Sequence, residues 1–178
     1  PLLAVLAAAV TARNLFDYVI AQAVAAAERA GVPTRRRLRS GAQLLTALGV
    51  APAAAYRAVR VGRAAYTLPA LTRQQRLGAV GIEFADAVGK GVAHVGARVA
   101  LSDEARAQVV RTLMIQTTPA GVDKKARELA IAHTAAQGEG AEPVVPVAEN
   151  ADLNEMTLHQ NDEGRVAATQ DLDALTGE

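Results

Sequence analysis

Ten arginines stand between Glu28 and Glu83 with no carboxylate among them: Arg29, Arg35, Arg36, Arg37, Arg39, Arg57, Arg60, Arg63, Arg73 and Arg76. A guanidinium stays charged and presents a planar fork of donors that matches a phosphate or a carboxylate. The chemistry of such a run is anion capture, not bond-making. The formal net charge of the chain is only +1, so the run is balanced elsewhere. From Glu139 to Glu178 there are ten acids and one base, Arg165. A split of this kind points to an anionic partner for the basic part, nucleic acid ahead of a membrane surface. Arginine outnumbers lysine sixteen to three, a bias that genomic codon usage also produces. Codon usage does not keep acids out of fifty-four consecutive residues.

No other residue set reaches a complete catalytic pattern. The three histidines, His94, His133 and His159, fall in three different regions, and none has a partner at metal-ligand spacing. His94 reads as a helix residue with one hydrogen bond, His133 as the polar side of a late helix, and His159 as a strand position beside Leu158. Asp171 and Asp173 form a carboxylate pair, with Asp162 and Glu163 upstream. Paired carboxylates can hold Mg²⁺, but solvated acids beside a hairpin are the commoner case. Gly62 and Gly89-Lys90-Gly91 lack the spacing of a phosphate loop. No Ser-His-Asp or Cys-His nucleophile set can be assembled, so no cofactor or metal is assigned to this chain.

The bulk of the chain favours helices. Hydrophobic residues make up 51% and aromatics 3%, so the core is expected from Leu, Val, Ile and Ala. Alanine is the best helix former and lets helices approach closely. Absence of cysteine excludes disulfides and thiolate metal sites and suits a cytoplasmic protein. The longest charge-free runs look too short for a bilayer, which takes roughly 20 apolar residues, so no membrane partner is expected. The N-terminal apolar run lacks a preceding basic flank, which argues against a signal peptide. The chain opens on Pro1 rather than Met, as a fragment does.

The elements that must position the arginines follow from periodicity and breakers. Residues 2–29 read as one long helix, with Leu3, Leu6, Val10, Phe16, Val19, Ile20 and Val24 at helical spacing and Gly31 and Pro33 ending it. Residues 34–39 read as a basic connector. Short helices are expected over 42–48 and 52–67, and a further one over 71–88 weakened by Gly78 and Gly81. Gly89-Lys90-Gly91 reads as a turn before a short helix over 92–100. Ser102 caps the next helix, to about residue 116, and Asp123 caps a last one to Ala136, after a turn at Pro119 and Gly121. Residues 1–137 therefore form an arginine-rich helical domain and 138–150 a linker. Residues 151–178 form an acidic β-hairpin segment that is incomplete by itself. The fold class is mainly α: a multi-helix bundle containing a helix-turn-helix-like pair, with a small C-terminal β-hairpin appendage.

That pair spans Leu44 to Arg60. Ala47 is small where two helices would cross, Gly49 allows the tight turn, and Val50 plugs the corner. Ala55 and Val59 would face the first helix, leaving Tyr56, Arg57, Arg60 and Arg63 near the outer face. Arg35, Arg36, Arg37 and Arg39 enter from the connector. The first residues of the second helix, Ala51, Pro52, Ala53 and Ala54, offer base edges only methyl contacts. Phosphate contact is the better-supported role, with a salt slope of roughly −6 if about seven arginines engage. The same layout occurs in helical bundles that bind nothing.

Several segments, taken in order, resemble one known family. They are Gly49-Val50-Ala51-Pro52 before an arginine-bearing helix, Leu68-Pro69-Ala70, Ala93-His94-Val95 and Leu101-Ser102-Asp103-Glu104-Ala105-Arg106. Asn154 to His159, Asp162-Glu163-Gly164-Arg165 and Asp171-Leu172-Asp173 through Gly177 complete the series. Together they resemble the actinobacterial 13E12-repeat family, whose N-terminal region is a domain of unknown function, number 222. There this region commonly precedes an HNH endonuclease module. The resemblance implies an accessory helical part, with a divalent metal belonging to a nuclease module that nothing in residues 1–178 matches. Glu163 departs by insertion from the family's Asp-Gly-Arg turn.

Two readings stay open. In the first, this is a DNA-binding or DNA-positioning domain, with Arg35, Arg36, Arg37, Arg39, Arg57, Arg60 and Arg63 on phosphates and Tyr56 at the edge. In the second, it is a structural or oligomerisation module. There the first helix pairs with its copy in a homodimer and the basic face meets the acidic tail.

Overall fold

The computed structural model describes residues 1–136 and the backbones of two further segments, 155–160 and 166–171. The protein is mainly helical. Its helices are α1 (Leu2–Arg29), α2 (Val32–Arg35), α3 (Gly41–Ala47), α4 (Pro52–Ala64), α5 (Pro69–Arg76), α6 (Ile82–Arg98), α7 (Asp103–Met114) and α8 (Pro119–Ala136). Strands β1 (Glu155–Gln160) and β2 (Val166–Asp171) pair antiparallel, with Glu155 opposite Asp171 and Gln160 opposite Val166. The expected linker at 138–150, the turn at 161–165 and Asp173 lie outside the described residues.

Helix α4 lies against α1, α3 and α6, and α6 in turn packs on α7 and α8. The buried residues of the core cluster, among those described, are all Ala, Val, Leu or Ile. Small side chains set the spacing. A Cβ at Gly62 of α4 would collide with the Ala21 carbonyl oxygen of α1, and would meet the Ala25 methyl at 3.0 Å. At Gly91 of α6 a Cβ would come within 2.9 Å of Leu113 and 3.0 Å of Ala126. The contact at Gly62 is therefore backbone on backbone and that at Gly91 backbone on side chain, both at the shortest range packing allows.

Three helices end in the same way. At α3 the Val50 N–H donates to Leu45 O and the Gly49 N–H to Thr46 O, with Gly49 at φ +92°. At α5 the Ala79 N–H donates to Gln74 O and the Gly78 N–H to Gln75 O, with Gly78 at φ +69°. This double closure satisfies the last carbonyls and needs a left-handed residue, which glycine adopts without strain. Helix α2 closes identically, Leu38 N–H to Pro33 O and Arg37 N–H to Thr34 O, but its left-handed residue is Arg37, at φ 57°.

Several expected boundaries are corrected. The helix expected over 71–88 is two helices, because Gly78 takes a positive φ and closes α5. The turn expected at Gly89-Lys90-Gly91 lies inside α6, where the space beside Gly91 is filled by Leu113 and Ala126 rather than by solvent. The expected helices over 52–67 and 92–100 stop at Ala64 and merge into α6 respectively. The basic connector is partly helical, as α2. Thr118, not Asp123, caps α8: its hydroxyl accepts from the Gly121 N–H at 3.0 Å. Ser102 caps α7 as expected, accepting from the Ala105 N–H at 3.2 Å.

The apolar stripe that marks α1 does not face the bundle. Of its expected positions only Val24 is buried; Leu3 is 83% exposed and Phe16 70%. At 28 residues α1 is roughly 42 Å long, about twice the length of α4, so its first turns overhang the bundle. Contrary to the estimate from charge-free runs, α1 is long and apolar enough to cross a membrane by length and composition.

Gly62→Ala is expected to destabilise the fold by about 2 kcal/mol, since the backbone of α1 cannot yield to the added methyl. Urea unfolding followed by circular dichroism checks this. A midpoint equal to that of the native chain would show that α1 and α4 do not meet here as described.

Candidate nucleic-acid interface

Arg57, Arg60 and Arg63 follow one another at three-residue spacing and form one stripe on α4. The stripe meets three carboxylates that lie just outside the acid-free run. Arg57 donates to Glu83 at 3.1 Å. Arg60 forks onto Asp86 through two bonds of 2.8 and 2.7 Å. Arg63 forks onto Glu28 through two bonds of 2.8 Å. Glu83 and Asp86 are themselves three residues apart on α6, so the two stripes run in register.

Each carboxylate has further partners. Glu28 also accepts the Gly41 N–H at 2.8 Å, which places a negative charge on the first turn of α3. The hydrogen bond from Arg63 holds its carboxyl below the ordinary glutamate value, with Gly41 assisting and burial opposing. Asp86 has a side chain only 7% exposed and sits 3.2 Å from the Lys90 ammonium. Burial pushes its carboxyl up, but the hydrogen bonds from Arg60 and Lys90 outweigh it and the net shift is downward. Arg13 reaches Glu83 at 3.5 Å and Asp17 at 3.8 Å.

The connector arginines differ. Arg35, Arg36, Arg37 and Arg39 are all exposed, and none has a side-chain partner among the described residues. They are fixed through the backbone. Pro33 is buried, the α2 turn closes as above, and the Arg39 N–H donates to the Gln43 side chain at 2.7 Å. Ser40 caps α3 by accepting the Gln43 N–H at 3.3 Å. The arginine-bearing turn is thus clamped between α2 and α3 while its side chains stay in solvent.

The eight residues singled out in the sequence therefore separate into two groups. Arg35, Arg36, Arg37 and Arg39 share one exposed turn; Arg57, Arg60 and Arg63 are engaged within the bundle. Tyr56 is 55% exposed on α4, and Ala51, Pro52 and Ala53 at the start of that helix are exposed as well. Glu28, Glu83 and Asp86 were missed as partners; the shared three-residue spacing of the α4 arginines and the α6 acids was the available signal. His94 is half-buried on α6 and lines a small cleft with Lys90, Asp123 and Arg127.

Comparisons of the chain with protein-family models, with curated proteins and with solved structures find no match.

Glu28 and Asp86 titrate below their ordinary values in the fold. Each therefore contributes stability that is complete above its unfolded pKa and is lost as pH falls through the folded one. Asp17 opposes them: burial raises its carboxyl despite Arg13. Stability in urea is expected to be level from pH 7 to about 5 and to fall in stronger acid. Glu28→Gln and Asp86→Asn should each lose about 1 kcal/mol at pH 7, discounted for the exposed arginine partners, and should flatten the acid limb. An unchanged acid limb in both variants would show that these pairs do not carry the pH dependence.

Proposed function

We propose that the chain is a DNA-binding or DNA-positioning helical domain that grips phosphates through Arg35, Arg36, Arg37 and Arg39. The observation that carries this reading is the contrast between arginines. The bundle supplies carboxylates to Arg57, Arg60 and Arg63 and none, among the described residues, to the four on the connector. Arg37 strengthens it: a charged side chain occupies a left-handed position where glycine costs nothing. Four guanidinium groups without a partner among the described residues, on one anchored turn, suit a polyanion. In this reading α3 and α4 act as a helix-turn-helix-like pair that sets the turn against the backbone, with β1–β2 as a small hairpin appendage. Ala51, Pro52 and Ala53 offer no hydrogen bonds to base edges, so binding is largely indifferent to sequence. A resemblance to the 13E12-repeat family would imply an HNH-endonuclease-type protein, with any catalytic metal held by the nuclease module and not by this chain. Arg57, Arg60, Arg63 and Tyr56 belong to the interface only if the α4 arginines leave their carboxylates on binding.

A second reading is favoured by α1. Its exposed Leu3, Leu6 and Val10 follow the spacing of a coiled-coil seam, which a second copy of this chain would cover.

Mobility-shift titration of a DNA duplex is expected to show binding that weakens at least tenfold when Arg35, Arg36, Arg37 and Arg39 are changed to Ala. Four phosphate contacts give a salt slope of about −4, whereas about −6 would mean that the α4 arginines also engage. Equal binding by both proteins, or none by either at low salt, removes the proposal. For the second reading, light scattering should give a dimer that Leu6→Glu with Val10→Glu converts to monomer; a monomeric native chain ends it.

A further inference from the structure

The acid-free run holds three more arginines that neither reading uses: Arg29, Arg73 and Arg76. They gather around one cleft of about 590 Å³, between α1, the end of α4 and α5. Its walls include Tyr18, Gln22, Tyr66, Pro69, Arg73 and Arg76, with no carboxylate among the described residues that line it. The Arg29 guanidinium carbon lies 4.9 Å from the centre of the Tyr66 ring, which steadies the ring and adds a third positive charge nearby. Arg73 and Arg76 are exposed and have no side-chain partner among the described residues. The side-chain nitrogen of Gln22 is covered and has no acceptor among the described residues.

We infer that this cleft takes an unstacked nucleotide of single-stranded DNA, its base against Tyr66 and Tyr18 and its phosphate at Arg73 and Arg76. Two tyrosines beside exposed arginines supply what strand binding needs: rings on which any base stacks, and fixed positive charge along the backbone. The volume lies within the range of small-ligand sites and admits one nucleotide. A base inside a duplex has both faces covered by its neighbours and cannot reach these rings; a base at a strand end, gap or distortion can. The inference rests on the polyanion reading of the arginine run, but it uses a different surface from the connector.

The test is fluorescence anisotropy with a labelled oligothymidine and, in parallel, a duplex of the same length, on the whole chain. Tyr66→Ala and the double variant Arg73→Ala with Arg76→Ala are expected to weaken single-strand binding about tenfold while leaving duplex affinity unchanged. Tyr66→Phe should retain native affinity, since stacking needs the ring and not its hydroxyl. Thermal melts by circular dichroism establish that each variant is folded. Equal losses on both probes, or no loss on the oligothymidine, overturn the cleft as a strand site. A native chain that binds duplex but not oligothymidine overturns the cleft and leaves the connector reading standing. One that binds oligothymidine through the cleft, and duplex not at all, overturns the connector reading instead.

Discussion

The carboxylate of Glu28 is the joint on which the basic half of the molecule depends. Seated in the last turn of α1, it receives both prongs of Arg63 from α4 and accepts the first free N–H of α3. One side chain thereby fixes the relative positions of three helices. The connector that carries Arg35 to Arg39 has its two ends at this point, one leaving α1 and the other entering α3. Without Glu28 the connector would lose its tie between α1 and α4, and the start of α3 would lose a capping charge. The arrangement also explains why a run of ten arginines does not repel itself apart. The acids excluded from the run are placed on its borders, and the fold brings them back onto the middle of it.

The second constraint is size. A core of Ala, Val, Leu and Ile with glycines at Gly62 and Gly91 brings helix backbones close together. Close approach gives many short contacts and little tolerance, because the obstructing atom at Gly62 is main chain and cannot rotate away. Such a core builds rigid pairs, α1 with α4 and α6 with α8, from side chains that individually bury little area. The larger apolar residues of α1 at Leu3, Leu6 and Val10 stay outside, in the turns that overhang the bundle.

Much of the helical layout was legible in the sequence where a breaker has one meaning. Gly31 with Pro33 ends α1, Gly49 turns α3 into α4, and Ser102 opens α7, all as read. The reading failed where glycine has two uses. Gly78 ends a helix through a positive φ, while Gly89 and Gly91 sit inside one, Gly91 because neighbouring helices crowd it. Periodicity cannot tell these apart, since the deciding atoms, Leu113 and Ala126, are far away in the chain. Arg37 was illegible for the opposite reason: it fills a left-handed position that carries no glycine to advertise it. The eight candidate residues were visible as charges and a ring, but which were already neutralised depends on contacts spanning 26 to 35 positions. No local pattern supplies that, although the matching three-residue spacings hinted at it.

The length of α1 has a consequence for how the two ends of the molecule respond to their surroundings. From Val10 to Arg29 is nineteen residues of continuous helix, or roughly 28 Å. That is about three Debye lengths at physiological ionic strength. The apolar overhang and the arginine turn are therefore electrically deaf to each other. Added salt erodes anything held by the arginines and leaves, or even strengthens, anything held by the overhang. Ionic strength is thus a dial that turns one end of this helix down without touching the other.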